Sequence, residues 1–402
     1  MTNAPHEVPA RVSTLERGGL VVGLAALVLS LLGGLQAPDQ FFRSYLLAFL
    51  FFVGLSVGSL AVLMIQHLTG GAWGLVIRRP LEAATRVLPL LVVAFLPLLL
   101  GLRGLFVWTH PERVAADPVL QHQSPYLNLP FFLARSAFYL LAWAVMAHLL
   151  SRWSREQDTR PSAALGARLR ALSGGGLVLV AMTITFASVD WAMSLDPHWF
   201  STLYGVIFMV GWALAALAFA VVVLTLLAGS PPLQGILKAD HVHDLGKLLL
   251  AFVMLWAYMA FSQLLIVWSG NLPEEIPWYL QRLHGGWEWV ALGLVLFHFV
   301  LPFLMLLSRD LKRRAGQLGL VAFGVLVMRF VDLYWLVGPS LQGHGAEAGL
   351  HVHWLDLLVP LALGGLWVFY FARQLRSRPL LPLGEPGLQE LLAGAAAPGG
   401  EA

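Results

Sequence analysis

Three groups of ionisable or hydrogen-bonding residues stand inside or beside long apolar stretches of this chain. A charge there costs at least about 2.5 kcal/mol unless it is paired or wetted. The first group is Arg103, Arg135, Asp190, Asp196 and His198. A carboxylate, an imidazole and guanidiniums in one layer can hydrogen-bond a ring oxygen, take its proton and pass it to water, as oxidation of a quinol requires. The same residues equally suit an Arg–Asp pair that pins helices together. The second group is Gln263, His284, Glu288, Arg329, Asp332, His353 and Asp356, with His351 nearby. Arg329 and Asp332, three residues apart, share a helix face. These side chains make half a proton path, or a set of polar tips that reach the interface by snorkelling. The third group is His148, His241, His243 and Asp244, with Lys247. His-x-His-Asp offers few metal donors on one inner loop, so protonation at an entrance fits better than a metal site, and none is expected. His284 and His298 lie on one segment at a spacing that can serve two stacked haems, but His298 lacks a matching histidine at its depth.

The elements that must hold these groups follow from composition. The chain has 402 residues, of which 58 % are hydrophobic and 12 % charged. A soluble domain carries about 25 % charged residues, so much of this surface faces lipid. Ten apolar stretches are long enough to cross a bilayer, at about 18–35, 44–66, 87–108, 130–150, 172–191, 199–228, 246–268, 286–307, 317–337 and 353–372. The first is expected to be a retained helix and not a cleaved signal. Alternate connecting segments hold nearly all the basic residues, and of those outside the hydrophobic stretches only Arg43, Arg113 and Arg282 fall in the other set. That asymmetry places both termini in the cytoplasm. Cysteine is absent, which removes disulfides, thiolate metal sites and Cys-ligated clusters. The 25 Lys+Arg against 22 Asp+Glu form no dense basic patch, so nucleic acid is excluded as a partner.

A faint repeat organises the chain. MAHLLSRWSRE ends the fourth stretch and LMLLSRDLKRR the eighth, while SVDWAM in the fifth corresponds to FVDLYW in the ninth. An offset of four helices preserves orientation, so an all-α domain over 1–378 is expected. It holds two parallel four-helix bundles, at about 44–191 and 199–337, with the first and tenth helices peripheral. The 109–129 segment, rich in proline, reads as an ordered cap or docking loop. The Pro/Gly/Ala-rich 379–402 segment reads as a disordered tail. Trp108, Trp153, Trp191, Trp199, Trp268, Trp278 and Trp335 read as interfacial anchors.

Four runs carry a resemblance: TFASVDWAMSLDPHWFSTLYGVIF at 185–208, HDLGKLLLAFVMLWAYMAFSQLLIVWSGNLPEE at 243–275, WYLQRLHGGWEW, and MRFVDLYWLV. In these the chain resembles the smaller NrfD/PsrC-like quinone-binding-type membrane subunit of bacterial alternative complex III, a quinol:cytochrome c oxidoreductase. The likeness extends over nearly all ten stretches. It implies a ten-helix subunit of the bacterial inner membrane that binds quinone or menaquinone or supports proton translocation. The implied partners are a larger homologous quinol-binding subunit, multihaem cytochrome c subunits, an iron–sulfur subunit and a haem–copper oxidase. Haem c and iron–sulfur clusters belong to those partners. Asp190 and His198 fall in the matching motif. The competing readings are a purely structural anchor for redox subunits and a secondary transporter. Against the transporter, Pro89, Pro97, Pro302 and Pro360 lie mostly away from mid-membrane.

Overall fold

The computed structural model describes residues 9–342, 349–385 and 387–388, and among them every regular element is helical. Among the described residues nine helices are long and apolar enough to cross a membrane, or ten when one bent pair counts as a single span. Helix α1 (Ala10–Gln36) is followed after one residue by α2 (Pro38–Thr69), where Pro38 cannot continue α1 but fits the first turn of the next helix. The third span comprises α3 (Ala72–Thr85), α4 (Leu88–Ala94) and α5 (Leu98–Leu105). Two short helices, α6 (Pro111–Ala116) and α7 (Pro118–Gln123), lead to α8 (Leu129–Thr159) and α9 (Ala163–Trp191). Then come α10 (Tyr204–Leu227), α11 (Ala239–Gly270) and the short α12 (Ile276–Arg282). The eighth span is α13 (Trp287–Gly293), a π-helical stretch Leu294–Val300, and α14 (Leu301–Leu307). The chain continues through α15 (Arg309–Arg313), α16 (Ala315–Gln342) and α17 (Leu355–Arg376).

Helices α2 and α10 pack on each other at the centre and are buried over most of their length. Apolar side chains all round make such helices core elements. Helices α3 and α9 lie against α2, α11 and α16 against α10, and α1 runs along α17, which itself rests on α2. Small residues permit the closest crossings. A Cβ on Gly365 would lie 2.5 Å from Gly23 Cα, and one on Gly58 would lie 2.1 Å from Trp212 O.

The third span departs from its expected limits of 87–108. It begins at Ala72, with Arg78, Arg79 and Glu82 buried inside α3, and bends by 68° between Ala94 and Leu98. Pro97 supplies no N–H for the helix ladder, and the Tyr45 hydroxyl donates to the Ala94 carbonyl at 2.7 Å beside the break. The expected tail also starts too early. Leu380 and Leu381 are buried, Gln157 Nε2 donates to Gly384 O at 3.2 Å, and Glu385 pairs with Arg78 at 2.6 Å, so 379–385 is tied to the middle of α3 and the end of α8. Residues 386 and 389–402 lie outside the described set.

The tryptophans divide. Trp268 is 76 % exposed, as an anchor should be. Trp108, Trp191, Trp199 and Trp278 are instead buried: Trp191 packs against Phe49, Phe95, Tyr139 and Trp143, and Trp199 stacks on Trp278 at 4.5 Å. Their position at helix ends reflects inter-helix packing, which a count along the chain does not separate from anchoring.

Candidate functional site

In the leading half, the five residues expected in one layer separate. Asp190, near the end of α9, is fully buried. Arg135 of α8 grips it with both Nε (2.9 Å) and Nη2 (2.8 Å), and the Tyr139 hydroxyl, one turn further along α8, adds a third bond at 2.9 Å. The guanidinium also donates to Tyr126 O and lies 3.7 Å from the Tyr126 ring centroid. This is a bidentate, aromatic-backed pair in a packed layer. Arg103 does not join it; the bend at Pro97 leaves it exposed on α5. His198 is also exposed and pairs with Asp117 of the 109–129 cap at 2.8 Å. Partial burial pushes the Asp117 carboxyl up, but the Val119 N–H and His198 outweigh it and hold it below the usual carboxylate range. Gln123 Nε2 donates to Pro197 O at 2.8 Å, so the cap is fastened over the turn after α9. Asp196 is buried in that turn, on the side of Tyr204 and Arg282.

The trailing half holds a cavity of about 730 Å³ between α11, α12, the eighth span and α16. Its walls are aromatic and aliphatic: Trp256, Trp278, Tyr279, Phe299 and Trp335 among them. Three polar side chains of the second sequence group converge on it, Gln263 from α11, Glu288 from α13 and Asp332 from α16. Tyr258, Phe261, Leu292 and Val295 line it yet are strongly exposed, so it opens sideways on the apolar surface of the molecule. Behind the wall, Arg329 pairs with Asp332, both buried. Gly211 of α10 makes room for that guanidinium, since a Cβ there would lie 2.0 Å from Nη2.

Beside this pair is His298, on the π-helical stretch Leu294–Val300, which ends two residues before Pro302. Such stretches widen a helix and are frequent at functional sites. The ring is fully buried, meets the edge of Trp256 at 4.2 Å, and has, among the described residues, no hydrogen-bond partner on either nitrogen. A bridging role between helices, the ordinary expectation for a lone membrane histidine, is not what it performs.

The rest of the second group lies elsewhere. His284 is exposed and bonds its own helix end at Leu280 O. Asp356, at the start of α17, accepts from Ser44 (2.6 Å), Gln40 (2.8 Å) and the His353 N–H (2.9 Å). It ties α17 to α2 and stands apart from the cavity lining. Arg282, counted in the sequence as an outer-loop charge, is fully buried over the Trp278 ring. It donates to Leu336 O and to Trp335 O, the carbonyl whose helical donor would be the N–H that Pro339 lacks. Burial brings its guanidinium down to about 9.

At the arginine-rich end, His241 caps α11 by accepting the Lys238 N–H at 3.2 Å, and Asp244 pairs with Lys247. His243 is half-buried on the same turn, and His148 is exposed on α8. Among the described residues no group of three or more His, Cys, Asp or Glu is placed to hold a metal ion. The larger feature here escaped the sequence reading. Glu82 accepts from Arg78, Arg79, Ser154 and Arg378, and Asp158 takes Arg79 at 2.6 Å. The one-dimensional signal was Arg-Arg-x-x-Glu on a helical spacing; its partners lie on α8 and beyond α17. Comparison of the chain with protein-family models and with curated proteins found no match.

Proposed function

We propose that the chain is an integral membrane subunit of a quinol:electron-acceptor oxidoreductase complex, and that its trailing-half cavity takes the quinone. The observation that carries this reading is the cavity itself: about 730 Å³, ring-lined, open toward lipid, with Gln263, Glu288 and Asp332 converging on it. That volume falls in the ordinary range for small-molecule sites, and a lipid-borne ring compound reaches it sideways. A quinol, on oxidation, gives up two electrons and two protons. Gln263 can hydrogen-bond a ring oxygen, Glu288 is placed to accept one proton, and the Asp332 carboxylate, held at the cavity wall by Arg329, is placed to accept the other. With neither cysteine nor a metal-donor cluster among the described residues, electrons leave through a partner.

On this reading the chain lies in the bacterial inner membrane as two four-helix bundles with both termini cytoplasmic. It stands beside a larger homologous subunit, multihaem cytochrome c and iron–sulfur subunits, and a haem–copper oxidase as acceptor. The leading half then has a structural role, which the bidentate, hydrogen-bonded Arg135–Asp190 pair favours. The test uses the full-length chain in detergent and menaquinone-4 as probe. Tryptophan fluorescence should be quenched saturably, because Trp256, Trp278 and Trp335 line the cavity. Ala260→Trp, which fills it, and Gln263→Leu should each weaken binding at least about tenfold, one lost polar contact being worth about 1.4 kcal/mol. Unchanged quenching in both variants would reject the site.

A further inference from the structure

A second cavity, of about 300 Å³, opens at the arginine-rich end between α4, α8 and the end of α17. Its lining is basic: Arg86, His148, Arg152, Arg155 and Arg378, with Ser151. Among the described residues no carboxylate lines it. The nearby acids are already engaged, Glu82 by Arg78, Arg79 and Arg378, and Asp158 by Arg79. Among the described residues, Arg86, Arg152 and Arg155 enter no ion pair. Arg378 is only 9 % exposed, donates Nη2 to Ser151 O and Oγ, and its Nε has no hydrogen-bond partner among the described residues. Burial, reinforced by Arg86, Arg79 and Arg155 against the pull of Glu82, brings its guanidinium down to about 10, so it stays charged at neutral pH.

The helix that supplies most of this lining continues in a different character. On α8, His148, Arg152 and Arg155 share a face with Val145, Leu141 and Phe138 at helical spacing, and those three apolar side chains are 55–56 % exposed. Across the groove, Val93 and Leu96 follow Pro89 and are likewise exposed. The groove is therefore apolar along its membrane length and cationic at its end, the polarity of a phospholipid with an anionic head.

We propose that this groove is a binding site for an anionic phospholipid, its phosphate held by Arg86, Arg152, Arg155 and Arg378 and its acyl chains lying against α4 and α8. The chemistry recognised is a phosphate with apolar chains attached; a choline head group would bring a cation into the same basic cavity.

The full-length protein, delipidated in neutral detergent, is titrated with dioleoyl-phosphatidylglycerol, dioleoyl-phosphatidylcholine or inorganic phosphate, and bound lipid is counted by native mass spectrometry. One phosphatidylglycerol per chain should be retained in preference to phosphatidylcholine. The Arg152→Gln/Arg155→Gln double variant, at exposed positions that do not support the fold, should weaken it about 30-fold, two cationic contacts of ordinary interfacial strength. The control Arg168→Gln/Arg170→Gln, exposed on α9, should bind as the parent does. Equal retention by both variants, or equal loss from both, overturns the site. Displacement of the lipid by millimolar inorganic phosphate assigns the cavity to soluble phosphate and overturns the lipid reading.

Discussion

Asp190 takes hydrogen bonds from Arg135 through two nitrogens and from Tyr139, all donors on α8. A carboxylate so held is costly to disturb, because each partner left behind is a buried donor without its acceptor. Asp190→Asn should therefore destabilise the protein by about 3–5 kcal/mol, the usual cost of stranding one member of a buried pair. Tyr139→Phe, which removes one bond to a charged acceptor, should cost about 1.5–3 kcal/mol. Replacing both charges, Arg135→Leu/Asp190→Leu, should recover much of the loss, since a packed apolar pair avoids desolvation altogether. Thermal melts and folded yield in detergent measure all three. If Asp190→Asn folds like the parent while the double variant does not, the strut assignment fails. The pair was readable in the sequence because antiparallel neighbours put Arg135 and Asp190 at the same depth. Arg103 and His198 were misplaced with it for local reasons: the bend at Pro97 carries Arg103 out, and the turn after α9 delivers His198 to Asp117. Hydropathy registers neither a bend nor a turn.

Elements meet where side chains are missing. The α1–α17 crossing brings the Gly23 and Gly365 backbones so close that a Cβ on Gly365 would meet Gly23 N and Cα at 2.5 Å, and backbone cannot rotate away as a side chain can. Gly365→Ala should lower stability by about 1–3 kcal/mol, the range for overpacked sites. Gly175→Ala on α9, with nothing within 4 Å of the added carbon, should leave the melting temperature unchanged or slightly raised. A comparable loss from both would show that the close backbone crossing does not set the effect, since helix propensity alone favours alanine at either site. The sequence carried this signal in Gly19-x-x-x-Gly23 and Gly54-x-x-x-Gly58, a spacing that places small residues on one face. What it could not carry was the start of α3. Apolar stretches report the thickness of the bilayer, whereas a helix can run on through charged residues once they are neutralised. Arg78, Arg79 and Glu82 are buried because Asp158, Arg378 and Glu385 reach them from sequence positions up to about three hundred residues away. The same limit explains why the cavity was not foreseen as one place: Gln263, Glu288 and Asp332 were each singled out, but only packing separates them from His284, His353 and Asp356.

At the scale of the whole molecule, the arginine asymmetry and the packing lead to one arrangement. Arg376 at the end of α17 pairs with Glu16 near the start of α1, Arg11 donates to Leu226 O at the end of α10, and Arg313 pairs with Asp240 at the start of α11. Helix ends from across the chain thus gather with their basic residues at a single end of the molecule. A membrane potential and an anionic leaflet both favour that end on the cytoplasmic side. The proposed phospholipid groove opens there, and the proposed quinone cavity lies toward the other end, where Gln263, Glu288 and the α12 segment stand. The absence of cysteine gives a direct measurement of this orientation. In intact cells a membrane-impermeant maleimide should label His122→Cys, in the exposed cap, and should label Ser162→Cys, between α8 and α9, only after the membrane is opened. Labelling of Ser162→Cys in intact cells would invert the molecule. It would also put the arginine-lined groove on the periplasmic leaflet and move the quinone cavity to the cytoplasmic half, so a proton released at Glu288 would reach the cytoplasm.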